Sequence, residues 1–209
     1  KVKKSKTSNS FEFTSFWADA NNRIIPDLVD FTKTFFSKHT ILNILTRYCV
    51  FTAENMLLVM RPYQIVATER IVNRIEIANN YKKYGTVQGG GYIWHTTGAG
   101  KTLTSFKTAQ ILAANPNIKK VVFLVDRKDL DSQTTEEFNK FEAGSVDATD
   151  RTDLLVKQMQ DKNRQLIITT IQKMANAVKN PRYAKIMSAY ADEKVIFIID
   201  ECHRSQFGD

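Results

Sequence analysis

The feature that most narrows the folds open to this chain is a short apolar run that empties into a glycine-rich loop and then into helix-forming sequence. Tyr92-Ile93-Trp94 leads through Thr96 and Thr97 to Gly98-Ala99-Gly100-Lys101-Thr102, and a helical stretch follows to about residue 114. A strand that delivers its chain into such a loop at a helix start makes an anion site. Backbone N–H groups converge there, and the helix dipole adds positive potential. In that setting Thr97, Gly98, Ala99 and Gly100 cradle phosphates, Lys101 neutralises the β and γ phosphates of a nucleotide, and Thr102 offers its hydroxyl to Mg²⁺. His95 stands where the usual G-x-x-x-x-G-K-[ST] spacing begins with glycine. The bland alternative is a glycine-rich turn at a helix start, which needs neither the lysine nor the hydroxyl.

A nucleotide site needs acids as well. Val195-Ile196-Phe197-Ile198-Ile199 is a strand-sized apolar run, and Asp200-Glu201-Cys202-His203 follows it. Asp200, just past the strand, is placed to hold Mg²⁺, commonly through its water, and Glu201 to orient and activate an attacking water. The same two carboxylates could instead cap the next helix. Lys101, Asp200 and Glu201 are the catalytic candidates, with Thr102 and Asp200 as the metal ligands. Cys202, His203 and His95 lack the spacing of a zinc site.

The remaining grammar is that of an α/β fold. Strands are predicted near 91–95, 120–126, 165–170 and 194–200, and helices near 101–114, 128–141, 171–179 and 182–190. The strands are continuously apolar, as expected when helices cover both faces of a parallel sheet. Upstream, Leu28, Phe31, Phe35 and then Ile41, Leu42, Leu45, Tyr48 and Cys49 recur at helical spacing, so residues 11–60 read as a small helical preface that Pro26-Asp27 opens. Pro62 begins a further helix to about Asn80, which Gly89-Gly90-Gly91 terminates. Residues 1–10 read as a flexible basic tail, and 61–209 as the main domain.

With 43% hydrophobic residues among 209, the chain can bury a substantial core. No apolar run approaches the roughly 18 residues that cross a bilayer, and no signal sequence follows the lysine-rich start. The absence of a close-spaced cysteine pair suits a reducing interior, so the chain reads as cytoplasmic. A formal charge of +8, from 30 Lys and Arg against 22 Asp and Glu, favours a polyanionic partner such as nucleic acid.

The wording of the motifs goes further. G-A-G-K-T followed by D-E-C-H resembles motifs I and II of superfamily-two helicases and translocases, and Arg61-Pro62-Tyr63-Gln64 resembles their upstream glutamine motif. That resemblance implies a RecA-like P-loop NTPase lobe in which Gln64 reads the adenine edge and Arg61 packs near the base. The stretch F123 to Q133, containing Arg127 and Lys128, resembles motif Ia. The stretch I167 to M174, with Thr169, Thr170 and Gln172, resembles the next DNA-contacting motif, and His203 would couple the nucleotide site to those contacts. Taken in order, "WHTTGAGKTLT", "VDRKDLDSQ", "TTIQKM" and "DECHRSQFGD" are similar to the restriction (R) subunit of type I restriction-modification enzymes. In that family a histidine at the position of His95 is common.

The resemblance implies an ATP- and Mg²⁺-dependent motor that pulls double-stranded DNA through phosphate contacts, in a complex with modification and specificity subunits. It also implies a separate nuclease domain upstream, toward which residues 11–60 form a linker, and a second lobe after motif II. The chain is therefore expected to be a first motor lobe truncated after motif II. Another superfamily-two helicase of repair or remodelling type fits the same motifs. So does a non-catalytic nucleic-acid-binding module with a vestigial nucleotide site.

Overall fold

The computed structural model describes residues 14–96, 98–125, 139, 151–200 and 202. Its centre is a parallel sheet of three strands, β3 (Lys120–Val125), β4 (Leu166–Thr170) and β5 (Val195–Ile199), in the order β4-β3-β5. The register pairs Leu124 with Thr169 on one side and with Ile199 on the other. Every residue of β3 is buried, which explains its unbroken apolar sequence: it is the middle strand, and helices lie on both faces.

On one face, Val121, Phe123, Val125 and Ile168 pack against Phe106, Ala109 and Leu112 of helix α4 (Lys101–Ala113). Ile71, Val72 and Ile75 of helix α3 (Pro62–Asn80) add to that layer. On the other face, Val122, Leu124 and Ile167 meet Leu155, Val156 and Met159 of α5 (Thr152–Gln160) and Met174 and Ala177 of α6 (Ile171–Lys179). A short helix α7 (Ala184–Ser188) packs beside α6. Lys120 is only 2% exposed, and its Nζ donates to the carbonyls of Asp161 and Arg164 at 2.5 Å and to that of Gln158 at 3.4 Å. The ammonium thereby ties the start of β3 to the end of α5 and the turn after it. Burial pushes its pKa down, while Asp161 pushes the other way.

Upstream lie α1 (Leu28–Phe35) and α2 (Lys38–Thr46), with N-caps Asp27 and Ser37 accepting from the amides of Asp30 and Thr40. Asp27 thus opens a helix as expected. The preface is not wholly helical, however. After Thr46 the chain forms an antiparallel hairpin, β1 (Cys49–Phe51) and β2 (Leu57–Val59), so the helical spacing of Leu45, Tyr48 and Cys49 misleads. Tyr48 donates to the Glu69 carboxylate at 2.6 Å, and Arg47 Nε donates to the same oxygen at 3.3 Å, pinning this region to α3.

Two further expectations fail. Residues 91–95 form no strand: Tyr92 and Trp94 are 83% and 86% exposed, and the stretch pairs with no strand of the sheet. A helix near 182–190 contracts to α7. The expected helix near 128–141 falls largely outside the described residues, as does the basic tail.

Candidate nucleotide site

Helix α3 starts where proline belongs. Pro62 occupies the first turn, and Arg61 before it is extended at φ −72°, ψ 155°. The Arg61 N–H donates to Gln64 Oε1 at 2.8 Å, which closes the first turn and turns the Gln64 amide nitrogen outward from it. Gln64 Nε2 then donates to the carbonyls of Ala99 and Gly100 at 3.2 and 3.3 Å. The neighbouring Tyr63 hydroxyl donates to the same Ala99 carbonyl at 2.8 Å. The glycine-rich loop is therefore held from beneath by the first turn of α3.

The loop itself needs its glycines. Gly98 and Gly100 have φ of +78° and +73°, left-handed values that side chains disfavour. A Cβ on Gly100 would also come within 2.6 Å of Gln64 Nε2, whereas one on Gly98 would meet nothing within 4 Å. Gly100 is the N-cap of α4, so Lys101 and Thr102 are its first helical residues, both half-buried. The Ala99 N–H donates to Thr96 O at 3.2 Å, closing a tight turn on the entry side.

The sheet brings the acid to the same edge. Helix α4 has 13 residues and β3 has 6, so each is about 20 Å long. A connection of only 114–119 joins them, so they run antiparallel and the first turn of α4 lies level with the C-terminal ends of the strands. Asp200 lies there too, directly after β5, where its N–H donates to Leu124 O at 3.0 Å. The open side of Gly98, the loop at a helix start and an acid at the strand ends fit a nucleotide phosphate and its Mg²⁺. Beside them is a cleft of about 620 Å³, lined in part by Arg61, Tyr63, Arg70, Trp94 and His95.

The profile of the SWI2/SNF2 ATPases matches residues 63–209. The chain belongs to the SWI2/SNF2 ATPase family. It is 53% identical over 196 residues to the type I restriction enzyme SsaAORF53P endonuclease subunit of Staphylococcus saprophyticus, covering 93% of this chain and 20% of that protein. It is 50% identical over the same shares to the SauCOLORF180P endonuclease subunit of Staphylococcus aureus. The C-terminal part of the putative MpnIIP endonuclease subunit of Mycoplasma pneumoniae is 44% identical, over 92% of this chain and 94% of that protein. The chain thus belongs with the type I restriction endonuclease subunits, and spans about a fifth of the length of the staphylococcal ones.

Within this SWI2/SNF2 ATPase, the sequence-predicted residues divide into those the fold gathers and those it sets apart. Arg61, Gln64, Gly98, Ala99, Gly100, Lys101 and Thr102 lie together at the starts of α3 and α4, with Asp200 at the same sheet edge. Gln64 is 3% exposed with both ends of its amide engaged, so reading an adenine edge requires it to give up bonds to Arg61 or the loop. Thr169 and Thr170 are 3% and 4% exposed, and the Thr170 hydroxyl accepts from Lys173 N–H at 3.2 Å as the N-cap of α6. Both side chains are buried, while Gln172 is exposed on the first turn of α6. Thr97, Arg127, Lys128, Glu201 and His203 lie outside the described residues.

His95 meets the Tyr63 ring edge to face, with centroids 5.9 Å apart. Partial burial and then the charge of Lys101 hold its pKa below the ordinary 6.5. Tyr63 is the residue that motif reading passed over: it sits inside Arg61-Pro62-Tyr63-Gln64, yet its hydroxyl acts on a carbonyl 36 residues away.

Proposed function

We propose that this chain is the first RecA-like lobe of the DNA motor in a type I restriction endonuclease subunit, an ATP hydrolase that moves double-stranded DNA before a separate nuclease domain cuts it. The observation that carries this reading is the meeting of the glycine-rich α4 N-terminus and Asp200 at one edge of a parallel sheet, in a SWI2/SNF2 ATPase domain. Nucleotide at the C-terminal edge of such a sheet follows the general rule for α/β folds. Lys101 neutralises the β and γ phosphates, and the amides of the loop and of the first turn of α4 hold their oxygens. Thr102 and Asp200 would hold Mg²⁺, which would supply positive charge to the phosphates. Glu201 orients the attacking water, and Arg61 borders the base.

The +8 charge supports a phosphate-tracking contact with DNA, sequence-independent and salt-sensitive. Gln172 at the exposed start of α6, with Arg127 and Lys128, is the proposed contact set. His203 couples those contacts to the nucleotide. The names of the relatives, endonuclease subunits of type I restriction enzymes, support membership of a multi-subunit complex, and modification and specificity subunits are the proposed partners. The test is DNA-stimulated ATP hydrolysis by the complete subunit in its complex. Lys101→Ala and Asp200→Ala each abolish it, and unimpaired hydrolysis in both overturns the assignment.

A further inference from the structure

Resting on that nucleotide reading, we propose that Tyr63 is a positioning residue for the phosphate site: its hydroxyl fixes the Ala99 peptide so that the Gly100 amide faces the anion. The peptide bond is planar and trans, so the C=O of Ala99 and the N–H of Gly100 point to opposite sides of one rigid unit. Whatever holds the carbonyl aims the amide. Tyr63 Oη holds it at 2.8 Å, inside the usual range. Gln64 Nε2 divides itself between the Ala99 and Gly100 carbonyls at 3.2 and 3.3 Å, both longer than the common hydrogen-bond distance. The tyrosine bond is the shorter and is aimed at a single acceptor.

Tyr63 is itself well fixed for this task. It lies in the first turn of α3, which Pro62 and the bond from Arg61 N–H to Gln64 Oε1 make rigid. Its ring also meets His95 edge to face at 5.9 Å. One side chain therefore touches the loop at its entry, His95, and near its exit, Ala99. Glycine at 98 and 100 leaves the intervening backbone free to rotate, and such freedom costs affinity unless something outside the loop removes it.

A different role for the same residue is a platform for the nucleobase, since Tyr63 also lines the 620 Å³ cleft with Trp94 and Arg70. Tyr63→Phe separates the two roles, because it removes the hydroxyl and keeps the ring. Calorimetric titration of this chain with inorganic tripolyphosphate, ATP and adenosine is carried out on wild type, Tyr63→Phe and Lys101→Ala. Positioning predicts that Tyr63→Phe weakens tripolyphosphate and ATP about five- to tenfold, the value of one hydrogen bond, with adenosine unchanged. It also predicts a smaller shift of the Gly100 amide resonance on tripolyphosphate addition. Wild-type affinity for tripolyphosphate in Tyr63→Phe overturns the proposal, as does a loss confined to adenosine and ATP. If wild-type chain binds neither ATP nor tripolyphosphate, or Lys101→Ala binds them equally well, the nucleotide reading fails first and takes this one with it.

Discussion

The hydroxyls of Thr68 and Thr108 meet at 3.0 Å, and neither side chain is exposed at all. Thr108 Oγ1 donates to Thr104 O at 2.7 Å, so the proton shared between the threonines belongs to Thr68. Thr104 Oγ1 in turn donates to Gly100 O at 3.0 Å. Gln64 and Thr68, one turn apart on α3, thus face Gly100, Thr104 and Thr108, one turn apart on α4. A polar seam runs down an otherwise apolar helix contact and sets the register of the two helices.

This seam gives a prediction in stability. Thr108→Val leaves the Thr68 hydroxyl buried without its partner and costs about 1–3 kcal/mol. The double variant Thr68→Val with Thr108→Val removes both hydroxyls and costs less than the sum of the single changes. Denaturant unfolding of the double-mutant cycle measures this, with a coupling of about 1 kcal/mol expected.

The two loop glycines should differ. Gly98→Ala meets open space and is penalised only for its positive φ, by about 1–2 kcal/mol. Gly100→Ala carries the same penalty and also drives its Cβ to within 2.6 Å of Gln64 Nε2, the end of a side chain that can swing aside only by giving up its bonds to the Ala99 and Gly100 carbonyls. Unfolding measurements should therefore rank Gly100→Ala as the more damaging, and it alone should release the Gln64 side-chain amide in NMR spectra.

Replacing Lys120 should be costly despite the apolar company it keeps. Lys120→Met keeps the stem but strips the carbonyls of Asp161 and Arg164 of a charged donor. A loss of about 3 kcal/mol is expected from chemical unfolding, since each hydrogen bond to a charged group contributes about 1.5–3 kcal/mol.

His95 supplies a pH dependence with a definite sign. Its folded pKa is below 6.5, so below that pH the unfolded chain takes up the proton more readily than the folded one. The His95 contribution is intact above pH 6.5 and is lost as pH falls toward the folded midpoint. NMR titration of the ring should give a midpoint under 6.5, and Lys101→Ala should move it upward by removing a like charge.

Much of this was legible in sequence because it rests on local rules. Proline at 62, glycines at 98 and 100 and aspartate at 27 each announce a backbone state, and the starts of α3, α4 and α1 follow. Three things were not local. Tyr92-Ile93-Trp94 has strand composition, but a strand exists only beside a partner, and this stretch pairs with neither outer strand of the sheet. Tyr48 and Cys49 continue a helical spacing, yet the chain turns back at Asn55, whose left-handed φ of +60° is a turn signal that the apolar periodicity masks. The burial of Thr169 and Thr170 depends on α6 folding over their strand, which a motif cannot display. Tyr63 shows the same limit in the site itself: residue type reveals a hydroxyl, and only the fold reveals the carbonyl it meets.

Leu124 has Thr169 as one neighbour in the sheet and Ile199 as the other. The strand leading to Asp200 and the strand leading to Gln172 are thus separated by β3 alone, about 10 Å across. On the proposed reading, the fuel end and the track end of the motor hang from opposite sides of one fully buried strand. On that same reading, a displacement of β3 by a fraction of an ångström would be felt at both ends without any lever between them.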